Sequence, residues 1–247
     1  MQFDMTSEQI IASMKEHVLP KFISEKRKKE LKDKDTLFVP WLDLTICFYL
    51  PLPELSEPDR SACALLTRSL FRKLEMTEED LLASAVRHLS DEVLLLPFSE
   101  ILRQLSENFQ NEIPFLDEGE DSSVPAWFVS NIQRSFGAAA LLCESTRARL
   151  HGELGPCFCI LPSSVHEVLC LPCDNEEDAV RFSSMVREIN ESCVDPCERL
   201  SDHVYLCRNG VVGIADPVIS SLPARSSRTG GKSRRPQYRR RPECCPV

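Results

Sequence analysis

Apolar positions along the chain fall into runs of two periods. From Thr6 or Ser7, either of which can cap a helix, Ile10, Ile11, Met14, Val18, Phe22 and Ile23 recur at helical spacing. This pattern predicts a first helix to about Asp33, kinked or divided at Pro20, with a solvated second half at Glu25 to Lys34. Residues 37–50 are rich in β-formers and end at Pro51-Leu52-Pro53, so they read as one strand, buried on both faces near its end. Pro58-Asp59 opens a helix predicted to run through Lys73. Thr77-Glu78-Glu79-Asp80 has a cap followed by acids in a first turn, and Leu81, Leu82, Ala85, Val86 and Leu89 continue it on one face. A shorter helix is predicted from Ser99 to Glu107.

Residues 111–125 hold two prolines, a glycine and five acids, and read as a loop dividing a helical first half from a strand-richer second half. Trp127 to Ser130 begins that half as a strand, and a helix follows from Ser145 to about Leu154. Cys157 to Leu161 and His166 to Leu171 flank Pro162-Ser163-Ser164-Val165, the pattern of a hairpin. Asn175 to Asn190 reads as an amphipathic helix, and Val204 to Cys207 as a last strand before an Asn209-Gly210 turn. The expected fold class is α+β, a helical first half packed with a small, mainly antiparallel sheet in the second. The expected organisation is a single domain over 1–221, helical over about 1–110 and strand-richer over about 125–210. A disordered basic tail over 222–247 completes it.

Four segments of the second half occur in order: Gly137 to Leu142, Ile160 to Val168, Met185 to Asn190, and Leu200 to Tyr205. Together they resemble the bacterial domain-of-unknown-function family 5688, over about residues 38–205. Thr77 to Leu81 also resembles the family's mid-chain helix start. The resemblance implies no reaction, ligand or catalytic residue.

Charge changes this picture in one respect. The net charge of −9 conceals a tail from Leu222 with eight basic residues and one acid, which leaves the rest of the chain at −16. A body that acidic argues against nucleic-acid or anionic-membrane binding through its folded surface. Weak, sequence-blind nucleic-acid binding through the tail is the one such route. Thr229-Gly230-Gly231-Lys232-Ser233 lacks the first glycine of a phosphate-binding loop and has no strand before it. No apolar run is long enough to cross a bilayer, and no secretory pattern opens the chain, so the expected location is cytoplasmic.

Three groupings carry candidate chemistry. Ser163, Ser164, His166 and Glu167 bring together the residue types of a nucleophilic site. As neighbours on a strand, however, His166 and Glu167 would point to opposite faces, and the serines also suit a turn. Cys170-x-x-Cys173 and Cys193-x-x-x-Cys197 resemble halves of a zinc site, although most of the twelve cysteines lie in apolar patterns that suit reduced, buried thiols. Lone His17 and His88 lie on expected helices and read as packing or surface residues. No cofactor is implied. The reading is a non-enzymatic cytoplasmic interaction or regulatory module with a protein partner. A hydrolase using the Ser163/Ser164/His166 turn, and a metal-stabilised nucleic-acid binder using the cysteine pairs and the tail, are its alternatives.

Overall fold

The computed structural model describes residues 11, 15–52, 62–108, 125–162, 164–173 and 176–215. The expectations for the 111–125 loop and the basic tail lie outside these residues, apart from Pro125. Among the described residues the elements are α-helices and antiparallel strands, so the chain is α+β.

The helical first half is corrected. After a helical turn at 15–17, the chain enters strand β1 (Leu19–Ser24) at the point where the sequence pattern continues as helix. Five of the six β1 residues are buried, so the strand shows no polar alternation to distinguish it from a buried helix. Pro20 is tolerated because β1, among the described residues, is an edge strand paired on one side only, with β3 (Leu44–Pro51). The single strand expected over 37–50 is a hairpin. Strand β2 (Val39–Trp41) turns at Leu42, which adopts φ 50°, and Asp43 into β3. β2 and the short β4 (Cys63–Leu65) share the other edge of β3, at opposite ends. The helix expected from Pro58 is also shorter. It is α2 (Arg68–Leu74), capped by the Thr67 hydroxyl, and it follows α1 (Glu25–Leu31) and a 3-10 turn at Lys32–Lys34.

Helix α3 (Glu78–Ser90) starts where the sequence places it. The Thr77 hydroxyl accepts from the Asp80 N–H at 3.1 Å and donates back to Asp80 Oδ2 at 2.8 Å. Its Leu81, Ala85 and Leu89 are buried. Strand β5 (Val93–Pro97) and helix α4 (Phe98–Asn108) follow.

Among the described residues the second sheet has six strands in the order β10-β9-β7-β8-β6-β5. They are β6 (Trp127–Asn131), β7 (Cys157–Leu161), β8 (Val168–Pro172), β9 (Tyr205–Arg208) and β10 (Val211–Ile214), with β5 at one edge. The β7–β8 hairpin and the Asn209-Gly210 turn form as the sequence indicates. One sheet face carries Val129, Phe158, Ile160, Val168, Cys170 and Tyr205 into a core shared with Phe22, Ile46 and Phe48 of the first sheet. The other face carries Cys159, Leu161, Leu171 and Leu206 against Ala179 and Val186 of helix α6 (Glu176–Ser192).

A 3-10 segment, Gly137–Leu142, lies between the sheets and leads into helix α5 (Glu144–Leu154). Its opening glycine has a steric cause. A Cβ on Gly137 would stand 2.3 Å from the Asn131 backbone nitrogen and 2.4 Å from Ser130 Oγ, so only glycine fits against β6. No described helix is long and apolar enough to cross a membrane.

Candidate functional site

His166 lies in the connection between β7 and β8, outside the strand on which the sequence pattern places it. Its backbone N–H donates to Ser164 Oγ at 3.0 Å, and its carbonyl accepts from Ser130 Oγ at 2.7 Å. The imidazole is held at both nitrogens. Nδ1 accepts the Phe136 N–H at 3.3 Å, which places the ring proton on Nε2, 3.2 Å from Glu198 Oε1. The carboxylate that orients His166 is therefore Glu198, from the loop after α6, a residue the sequence pattern does not single out. Ser164 is buried, and its hydroxyl oxygen accepts the His166 backbone N–H. Ser163 lies outside the described residues.

Phe136 stacks on the His166 ring with centroids 5.6 Å apart and meets Tyr49 edge-on. On Phe136 also rests the Lys21 ammonium, 4.0 Å from the ring centroid, on a lysine only 7% exposed. A cation over an aromatic face is stabilised by the ring quadrupole, and this contact compensates part of the burial cost of Lys21. Burial pushes the Tyr49 hydroxyl upward, with Glu92 adding to the effect.

A second cluster escaped sequence reasoning. Asp43, in the β2–β3 turn, is the acceptor for three side chains leading into β9. Its Oδ2 takes Ser201 Oγ at 2.6 Å and His203 Nδ1 at 2.9 Å, and its Oδ1 takes the Tyr205 hydroxyl at 2.5 Å. Burial pushes the Asp43 carboxyl up, but the three hydrogen bonds outweigh it and hold the group below the usual carboxylate range. The Tyr205 hydroxyl is driven well upward by burial and by donating to Asp43. Ser201 Oγ also accepts the His203 N–H at 3.0 Å, and the Asn190 side chain donates to the Ser201 carbonyl and to Asp202. Trp41 completes the joint, edge-on to Tyr205 and stacked on Phe22. The cluster thus pins the turn of one sheet to the entry strand of the other. A signal for it existed in the sequence. Ser201, His203 and Tyr205 alternate at the spacing that puts them on one face of an extended chain.

The two serine–histidine arrangements share a chemical limit. In a nucleophilic triad the hydroxyl donates to an imidazole nitrogen that the acid has turned toward it. Here Ser201 Oγ stands 3.4 Å from His203 Nδ1 but makes its shorter bond, at 2.6 Å, to the same carboxylate oxygen that holds that nitrogen, and Ser164 accepts from backbone.

The cysteine pairs are separated by the fold. Cys170 lies in the core between the sheets and Cys173 in the core beneath α6, because three residues of extended chain reverse the face. Burial raises the Cys170 thiol far above its ordinary value. Cys193 is exposed at the end of α6, and the Cys197 N–H donates to Asp195 Oδ1 at 2.9 Å in the turn that follows. Among the described residues no three His, Cys, Asp or Glu side chains are grouped to hold a metal ion.

The chain belongs to DUF5688, a family of unknown function whose profile matches residues 1–208. The match reaches further toward the N-terminus than the segments that carry the resemblance. No curated protein and no solved structure matches the chain.

Proposed function

We propose that the chain is a non-enzymatic interaction or regulatory module of the bacterial cytoplasm, a single α+β domain over 1–221 with a basic tail. Its partner is another protein. One observation carries this reading. The chemically capable side chains around Asp43 are spent on one another, across the joint between the sheets. Such a network fixes the mutual geometry of two layers, which is what a binding surface built from both requires.

The second reading is a hydrolase built on Ser164 and His166, supported by the His166–Glu198 pair. A fluorophosphonate probe on the full chain, with a hydrolase-substrate panel, separates the two. The module reading expects no serine labelling and no turnover. Labelling of Ser163, Ser164 or Ser201 that vanishes in His166→Ala or His203→Ala overturns it.

A further inference from the structure

Strands β7 and β8 bring three cysteines to one face of the second sheet. Cys157 and Cys159 are two apart on β7, so their side chains leave on the same side. Cys159 and Cys173 lie in the core beneath α6, and Cys157 packs against that core. All three are thiols, Cys159 and Cys173 buried and Cys157 partly exposed.

The strand pairing sets which of them can be bridged. The β7–β8 register pairs Phe158 with Pro172 and Cys159 with Leu171. Carried one residue past Pro172, it places Cys157 directly opposite Cys173. Opposite residues of an antiparallel pair have Cα atoms about 4.5–5.5 Å apart, inside the roughly 4.4–6.8 Å that a disulfide spans. Cys159 is diagonal to Cys173, where separations are about 7–8 Å, beyond that span. Burial, and then a hydrogen bond to Cys173, raise the Cys159 thiol far above its ordinary value, so it stays protonated. Of the three, Cys157 is the one that a dissolved oxidant meets first.

We infer that Cys157 and Cys173 form a modification site, a dithiol that a hydroperoxide converts to a disulfide. The Cys157 sulfur attacks the peroxide O–O bond and becomes a sulfenic acid, and its proton leaves in the first water. The Cys173 sulfur then attacks the Cys157 sulfur, the S–O bond breaks, and the second water carries off the Cys173 proton. Two electrons pass from the pair of sulfurs to the peroxide. The bond staples the open end of the β7–β8 hairpin just before α6, and a thiol reductant reverses it. The inference rests on neither the module reading nor the hydrolase reading, and it stands or falls apart from both.

The test is disulfide mapping of the full chain, reduced, freed of reductant and treated with hydrogen peroxide at high dilution. Free thiols are blocked in denaturant, and the chain is cut after glutamate. Cleavage after Glu153 and Glu167 puts Cys157 and Cys159 on one peptide, and Cys170 and Cys173 on the next. The two peptides should appear joined through Cys157 and Cys173, at a rate independent of protein concentration, and should separate on adding dithiothreitol. Cys157→Ser should abolish the joined species and leave Cys173 a thiol. Cys173→Ala should leave Cys157 as a sulfenic acid that dimedone traps, and Cys193→Ala should leave the yield of the joined species unchanged. The wild-type map needs no variant to fold, so it decides the question by itself. Dimedone-labelled Cys157 without a joined species in the wild-type chain would overturn the assignment. So would a bond through Cys159 or Cys170, or oxidation that leaves both Cys157 and Cys173 as thiols.

Discussion

His203 Nδ1 lies 2.9 Å from Asp43 Oδ2, across 160 residues of sequence and across the joint between the two sheets. The same carboxylate takes Ser201 and Tyr205, so one turn residue of the first sheet fixes the strand entry of the second. The consequences are measurable.

Replacing Asp43 by Asn removes the charge but little volume. Its three donors would then face an amide with one acceptor oxygen, and Tyr205 is fully buried. The expected loss is about 2–4 kcal/mol in urea unfolding, with an unchanged m-value.

The same substitution has a pH signature. The folded-state pKa of Asp43 is lowered, so its contribution is present above the unfolded value of about 4 and is lost as pH falls through the folded value. The stability gap between the wild-type chain and Asp43→Asn should therefore be full near neutrality and shrink below about pH 4. A gap that is constant, or that widens on acidification, contradicts the assigned role.

Gly137→Ala should be among the most damaging small substitutions. The new methyl meets backbone atoms of Asn131 and Ser130, which cannot swing aside as a flexible side chain would. A cost of about 3 kcal/mol or more is expected in chemical denaturation. Gly152→Ala, in α5 with open space around its Cβ, should be neutral or stabilising by about 1 kcal/mol.

How much of this was legible in the sequence varies by element. The start of α3 was readable because Thr77 and Asp80 form a local cap within one turn. The β7–β8 hairpin was readable because both strands and the turn lie within sixteen residues. Strand β1 was not, because it is buried almost throughout and its partner β3 lies more than twenty residues on. The sites divide in the same way. His166 was found, but its carboxylate partner was missed because Glu198 comes from the loop after α6. Asp43 was invisible as a site residue, since a lone Asp in a hairpin turn has a sufficient local explanation. Only the alternation of Ser201, His203 and Tyr205 hinted at it.

Thiol accessibility tests the placement of the cysteines. Burial drives Cys47 and Cys143 up to about 11, and raises Cys159, Cys170 and Cys207 as well. In the native chain near neutral pH these five should resist a maleimide, while exposed Cys193 reacts at once. Peptide mapping before and after denaturation reads the result. Fast native labelling of Cys170 would show that the core between the sheets is open.

The joint at Asp43 is tested most directly by a double-mutant cycle on unfolding free energy, using Asp43→Asn, Tyr205→Phe and the pair. If one carboxylate ties the two sheets together, the pair should be less destabilised than the sum of the single variants. The expected coupling is about 1–3 kcal/mol. A coupling within about 0.3 kcal/mol of zero would mean that Asp43 and Tyr205 act independently, and it would contradict the joint on which the functional reading rests.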